Sequence, residues 1–380
     1  MRKIYWRPRS VSRPVLIVLS IISLAGLAAV EWLKTPEQQP YYEEMRAAAR
    51  LAYQAMEVIQ EHQLERGVVD PQADPTRSGL IGQVMSPVTS DPGVLAAKQT
   101  SVNPNFAAVV VQMLREAGVQ PGDTVAVGFS GSFPAINISV LAAVEMLRLK
   151  PVIITSAAAS QWGANDPDFL WLDMERLLNR QGLFHHRSVA ASLGGQEDRA
   201  AGMSEEGIRL LESGIERHRH LHRLTAQSVE ESVEQRMSIY LDHAGDAPIA
   251  AYLNVGGGTV SVGGATGKRS FRAGVNFRVP SGRISDSVMA RFVARGVPAI
   301  HLIRIEQLAD QYGLPLRPRT MPKPGEGGVF QMQAYNRWLA AGVLVFILLL
   351  LYAFMRTALG YRILQASPSR EDLLYHEPMV

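Results

Sequence analysis

Two uniformly apolar runs stand near the ends of the chain. "PVLIVLSIISLAGLAAV" fills 17 positions from Pro14 to Val30, and "WLAAGVLVFILLLLYAF" fills 17 positions from Trp338 to Phe354. A helix that is apolar on every face is either buried in a core or facing lipid, and this length is close to what the hydrocarbon layer needs. Two transmembrane helices are therefore expected, over 14–33 and 338–355. After the first, Tyr41, Met45, Ala48, Ala52, Ala55 and Ile59 recur at steps of four and three, which predicts a juxtamembrane helix within 34–66 whose small-residue face docks on the domain or on a partner.

Residues 67–102 are rich in Pro, Gly, Ser and Thr and read as a loop, within an extracytoplasmic domain expected over 67–315. From there apolar runs of two periods alternate. "NFAAVVVQMLREAGV" predicts a helix, "DTVAVGF" a strand, "PAINISVLAAVEMLRL" a helix with proline in its permitted first turn, and "PVIIT" a strand. Strand, helix and strand in that order make a βαβ unit with a parallel pairing and a right-handed crossover. "PDFLWLDMERLLNRQGL", "SEEGIRLLESGIERH" and "AQSVEESVEQRMSIYL" add helices. "APIAAYLNV" reads as a strand running into "GGGTVSVGG", and "PAIHLI" as a strand between two helical segments. The fold class is α/β, a mostly parallel sheet with helices on both faces, flanked by the two transmembrane helices. The Pro/Gly-rich stretch 316–337 reads as a linker.

Charge sets the orientation. Arg2, Lys3, Arg7, Arg9 and Arg13 place five positive charges before the first acid, Glu31. Under the positive-inside rule the N-terminus (1–13) stays in the cytoplasm, Arg356 and Arg362 hold the tail (356–380) there, and the central domain lies outside. Between the ends the chain carries 30 basic and 32 acidic residues, so the pI near 9.1 does not mark a nucleic-acid binder. The chain has no cysteine, which excludes disulfides, thiolate metal sites and a cysteine nucleophile.

Candidate chemistry sits in loops that leave strands. "GFSGS" nearly matches the G-x-S-x-G elbow, with Ser132 where the last glycine belongs. A nucleophilic Ser130 would need a base, for which His243, His301 and Lys98 are candidates. The same loop also reads as a cradle. Gly128 and Gly131 would let backbone approach a ligand, Ser130 and Ser132 offer hydroxyls, and the start of the following helix favours an anion. Ser156 in "TSAAASQW" and Gly256, Gly257, Gly258 and Thr259 in "NVGGGT" would complete the ligand-binding set, the latter only if its strand runs parallel to the first two. "NVGGGTVSVG" is also similar to the phosphate loop of actin-like ATPases, but Asn254 stands where that loop has an acid. Asp91, Lys98, Thr100, Ser101 and Asn103 are dense enough in polar groups to border a cleft, or to cap a helix starting near Asn105. "HRHLHR" spaces His218 and His222 as zinc ligands would be on a helix, with no nearby acid to complete a motif, while "HHR" at His185 is less specific. Neither a metal nor a cofactor is expected.

"SPVTSDPGVLAAKQTSVNPNFAA", "VGFSGSFPAIN", "YLNVGGG" and "GVPAIHLIRIEQLADQYGLPLRP", spread from Ser86 to Pro318, resemble the membrane-anchored protein family of poly-γ-glutamate systems. The resemblance implies participation in synthesis, export or anchoring of poly-γ-glutamate. Its partners would be this anionic polymer, the membrane and the polymer synthesis and export subunits, without nucleic acid. It implies no established catalytic residue. An envelope serine hydrolase or amidase using Ser130 is the alternative.

Overall fold

The structure, a computed structural model, describes the backbone of residues 13–282 and 284–356, and side chains in the first and last helices over 17–32 and 337–352. The segments 1–12 and 357–380, read from the sequence as cytoplasmic ends, lie outside the described residues. The chain divides into two compact units, one of residues 1–37 with 331–380 and the other of residues 38–330.

The first unit contains helix α1 (Arg13–Trp32) and, at the other end of the sequence, helix α13 (Arg337–Arg356), which pack on each other. Strand β1 (Thr35–Gln38) pairs with the last strand, β11 (Gln331–Ala334). Both helices leave large apolar side chains exposed, among them Ile21, Leu24, Leu27, Phe346, Leu348 and Leu349. Among the described residues no helix is long and apolar enough to cross a membrane.

In the second unit, α2 (Tyr42–Glu65), α3 (Leu95–Ser101) and α4 (Phe106–Glu116) precede the first sheet strand, β2 (Thr124–Ser130). There follow α5 (Pro134–Met146), β3 (Lys150–Ser156), the small hairpin of β4 (Asn165–Asp166) and β5 (Phe169–Leu170), α6 (Trp171–Arg180), β6 (Ala190–Ser192) and α7 (Glu205–Glu216). Next come β7 (His222–Arg223), α8 (Val229–Ala244), β8 (Ile249–Val255), α9 (Thr259–Val262) and α10 (Gly264–Ser270). The unit ends with β9 (Gly274–Asn276), α11 (Val288–Ala294), β10 (Ala299–Leu302), α12 (Ile305–Gln311) and a 3-10 turn, Gly328–Phe330. The seven-stranded sheet has the order β7-β6-β3-β2-β8-β10-β9. Every pairing in it is parallel except that of β9 on β10 at one edge.

Alternation along the central strands sends successive side chains to opposite faces. Val125, Val127 and Phe129 join Ile153, Leu253 and Ile300 under α4 and α5, whereas Ala126, Ile154 and Tyr252 meet Met237 and Tyr240 of α8 and Phe292 of α11 on the other side. Because both faces are covered, β2 reads as one apolar run. Helix α5 is buried from Pro134 to Val144, since α2 lies across it and α4. The small face of α2, with Met45, Ala48, Ala52, Ala55 and Ile59 all buried, lets the helices approach closely. Tyr41 is the exception in that stripe; it precedes the helix, in a left-handed conformation, and is exposed.

Several details differ from the sequence reading. Residues 95–101 form a helix rather than loop, with Lys98 and Ser101 on its buried side. Within "GGGTVSVGG" the residues Thr259–Val262 form the short helix α9, which places Val260 and Val262 in the core beside Tyr252 and Phe292, and α10 starts at its last glycine. Within the expected linker, Val329 and Phe330 are buried against α2 and α4, and the Asn105 amide holds the Lys323 carbonyl at 2.9 Å.

Ala52 is fully buried in the α2 stripe, so Ala52→Glu would place an unpaired carboxylate among α2, α4 and α5. Urea unfolding of the full chain is expected to show a loss of about 3–5 kcal/mol. Unchanged stability would mean that α2 is not packed on the sheet's helical layer.

Candidate functional site

The chain runs from β2 to β3 on one side and later enters β8 on the other side of β2. That reversal makes the carboxyl ends of β2 and β8 a topological switch point, where loops diverge and leave a crevice. The crevice is there, with a volume of about 740 Å³. Because β8 is parallel to β2, the "NVGGGT" loop opens on the same edge as "GFSGS" and "TSAAASQW".

Strands β2, β3 and β6 each end in serine at one level: Ser130 is in register with Ser156, and Ser156 with Ser192. Ser130, Ser132, Ser156, Gly256, Gly257, Gly258 and Thr259 line the cleft. Two residues of the ligand-binding set do not line it. A Cβ at Gly128 would stand 2.7 Å from the Tyr252 hydroxyl, and one at Gly131 3.0 Å from the Ala157 carbonyl and 3.1 Å from that of Ala158. These glycines make room for neighbouring protein atoms, not for a ligand. Gly256 has φ +88 and lies under Ser130, whose Cβ a side chain there would meet at 3.3 Å, so its conformation and its space both require glycine.

Lys98 enters the cleft from α3. It is almost wholly buried, and Nζ donates to the Ser132 carbonyl and, at 2.8 Å, to Ser160 Oγ. Nζ also stands 4.0 Å from the centre of the Phe133 ring. Among the described residues no carboxylate pairs with it. Burial therefore lowers its pKa to about 7, because taking an ammonium out of water favours the neutral amine. The loops it touches are tied to each other, with the Ser160 N–H donating to Ser132 Oγ at 3.0 Å and the Gly131 N–H to the Ser156 carbonyl at 3.1 Å.

The charges on the other walls are placed differently. Lys268 and Arg304 line the cleft and are exposed. Asp198 also lines it, but both its oxygens are engaged: Oδ1 accepts from Ser192 Oγ at 2.7 Å and Oδ2 from Arg236 at 2.5 Å. Asp198 and Arg304 hold φ values of 63 and 51, left-handed backbone that a non-glycine residue adopts only when its surroundings enforce it.

None of the candidate bases reaches Ser130. Among the described residues its Oγ has one hydrogen bond, accepted from the Ser132 N–H at 3.2 Å. His243 sits exposed near the end of α8 against the Ile239 carbonyl. His301 is buried and its Nε2 meets the Gly256 carbonyl at 3.2 Å. A carbonyl only accepts, so Nε2 carries the proton and Nδ1, which has no partner among the described residues, does not. Burial pushes the His301 pKa down to about 4, and the residue acts as a neutral support beneath the glycine loop. Asn254 supports the same carbonyl, its amide donating at 2.7 Å.

His218 and His222 do not share a helical face. Helix α7 ends before His218, which is buried against Asp173 at 3.2 Å, while His222 lies in β7. Asp173 also takes Arg217 at 2.7 Å, so this is a buried ion-pair cluster, and among the described residues no group of His, Asp and Glu could hold a metal ion. Exposed His185 pairs with Glu145. Asn103 does not cap α4, whose N-cap is Asn105 without a side-chain cap bond; its Oδ1 accepts the Asn105 N–H at 3.0 Å in a turn just before the helix. Thr100 and Ser101 are buried and bond to the Ala96 and Lys98 carbonyls, whereas Asp91 lines the cleft and is exposed. Sequence reasoning missed Ser160, Asp198, Lys268 and Arg304 as cleft residues. Ser160 closes the quoted "TSAAAS" run, but no spacing singled it out.

No protein-family model, curated protein or solved structure matches this chain.

The His301 pKa yields a pH test with a definite sign. An unfolded histidine titrates near 6.5 and the folded one at about 4, so the unfolded chain takes up a proton first and stability falls from pH 6.5 towards 4. His301→Gln keeps a donor for Gly256 and does not titrate there. Wild type should lose roughly 3 kcal/mol more than His301→Gln between pH 7 and 4 in urea unfolding. Parallel pH profiles for the two proteins would refute the neutral-support role.

Proposed function

We propose that this chain is a membrane-anchored, extracytoplasmic component of a poly-γ-glutamate synthesis and export system, and that its cleft holds the anionic polymer. The observation that carries this reading is a convergence. Four segments far apart in sequence carry the resemblance, and each contributes to one cleft: Asp91 and Lys98 from the first, Ser130, Ser132 and Phe133 from the second, Gly256 and Gly257 from the third, Ile303 and Arg304 from the fourth. A resemblance resting on shared core residues alone would have no reason to concentrate there.

The chemistry of the walls suits repeated carboxylates. Hydroxyls of Ser130, Ser132 and Thr259 line the cleft along with the cations Lys268 and Arg304, and the one deep carboxylate, Asp198, is already neutralised by Arg236. A polymer with one carboxylate per residue can engage several such groups at once, each weak alone in water. The nucleophile reading of Ser130 finds no base in hydrogen-bond reach.

Anchoring is carried by the sequence, whose two 17-residue apolar runs are close to the length the hydrocarbon layer needs, although no helix among the described residues is by itself long and apolar enough to cross a membrane. Trp32 and Trp338, near the ends of those two runs, are both 89 % exposed, as interfacial anchors are. The five basic residues before Pro14 orient the pair with both ends in the cytoplasm and residues 38–330 outside, where the polymer and the synthesis and export subunits would be met.

Reporter fusions active only outside the cytoplasm should work near residue 200 and fail after residue 365. The reverse pattern would overturn the proposed orientation. Binding of a γ-glutamyl hexamer, followed by calorimetry in about 50 mM salt, should weaken about tenfold or more in Lys268→Glu/Arg304→Glu and weaken with rising salt in wild type. Binding that is unchanged by both would show that the cleft cations do not hold the polymer.

A further inference from the structure

The contact between Lys98 and Ser160 ties two loops of the cleft to α3, and its chemistry points beyond that support. A buried cation is normally matched by a carboxylate, and replacing it with an apolar side chain is often neutral or stabilising. Here the amine is instead aimed from α3 at a hydroxyl on the cleft wall, 2.8 Å away, with the Ser132 carbonyl and the Phe133 ring holding it from the sides. Ser160 is half-buried and lines the cleft, as does Lys98. Its backbone is fixed too, the N–H donating to Ser132 Oγ and the carbonyl accepting from Gly163 at 2.9 Å. An activated nucleophile is recognised by this arrangement: a hydroxyl and a base in hydrogen-bond reach, with the base itself oriented by further groups.

We propose that Ser160 and Lys98 form a nucleophile–base pair that hydrolyses an amide-linked acyl chain lying in the cleft. This rests on the proposed function only for the identity of that chain, a γ-glutamyl polymer. In the first step Ser160 Oγ attacks the amide carbonyl carbon. The Oγ–C bond forms, the C–N bond breaks, and the Oγ proton passes to Lys98 Nζ and on to the leaving nitrogen, which departs as an amine. In the second step water attacks the resulting ester, one of its protons moves through Nζ to Ser160 Oγ, and the chain leaves as a carboxylic acid. The sum is amide plus water giving acid plus amine.

The amine must be neutral to accept a proton, and its surroundings supply that state. Burial alone brings the Lys98 pKa to about 7. Among the described residues no charged side chain pairs with it: Asp91, Lys268 and Arg304 line the cleft without an ion pair to it, Asp198 is bound to Arg236, and on α12, which packs on α3, Glu306 faces Arg317. The neutral base form is therefore accessible near neutral pH and favoured above it.

The test uses the full chain in detergent and a fluorophosphonate probe, with peptide mapping to locate the adduct. The expected result is an adduct on Ser160, lost in Ser160→Ala and slowed about 100-fold or more in Lys98→Arg, which keeps the cation but cannot accept a proton at these pH values. The labelling rate should rise through pH 7 and level off near pH 8. An adduct on Ser130, no adduct on Ser160, or undiminished labelling in Lys98→Arg would each overturn the pair. Ser160→Ala is a small change at a half-buried position, and its melting curve should match wild type. Calorimetry of Ser160→Ala with the γ-glutamyl hexamer separates the two proposals: binding without wild-type labelling refutes the pair alone, and labelling without binding refutes the polymer alone.

Discussion

The cleft depends on an amine buried without a counter-charge. Lys98 Nζ holds the Ser132 carbonyl from the loop after β2 and Ser160 Oγ from the loop after β3, while its own helix is fastened by Ser101 Oγ to the Lys98 carbonyl at 2.7 Å. In the charged form such a group costs several kcal/mol to bury. The structure answers with a lowered pKa rather than with an acid. The three segments that wall one side of the crevice therefore meet at a single group whose charge state is set by how dry the junction is.

The opposite wall follows the same economy of charge. Asn254 and His301 stand in register on β8 and β10, and both hold the Gly256 carbonyl. Neither is ionised, so the glycine loop is fixed by neutral donors. Formal charge is left to Lys268 and Arg304 at exposed positions, to exposed Asp91, and to the closed Asp198–Arg236 pair.

The sequence made the architecture legible where burial on two faces produced continuous apolar runs. Strands β2, β3, β8 and β10, and the helices between them, are of that kind. It failed for β6 and β7, which have three and two residues and no room for a pattern, and it showed no helix for "TVSV", too short for a helical period, where packing takes Val260 and Val262 into α9. The loops that line the cleft were legible because they follow recognisable strands. The atoms within them were not, since Gly128 and Gly131 look like ligand cradles until the Tyr252 hydroxyl and the Ala157 carbonyl are seen in the way. Ser160 was hidden for a related reason: its partner Lys98 lies 62 positions away, and only the fold brings them together.

Lysine side-chain nitrogens can be titrated one by one in a chain labelled with 15N-lysine, with Lys98→Met identifying the resonance. The buried amine described here should change protonation at about pH 7. A Lys98 resonance that stays charged to pH 10 would mean that the amine is hydrated or paired. The dry junction on which this account of the cleft is built would then not exist.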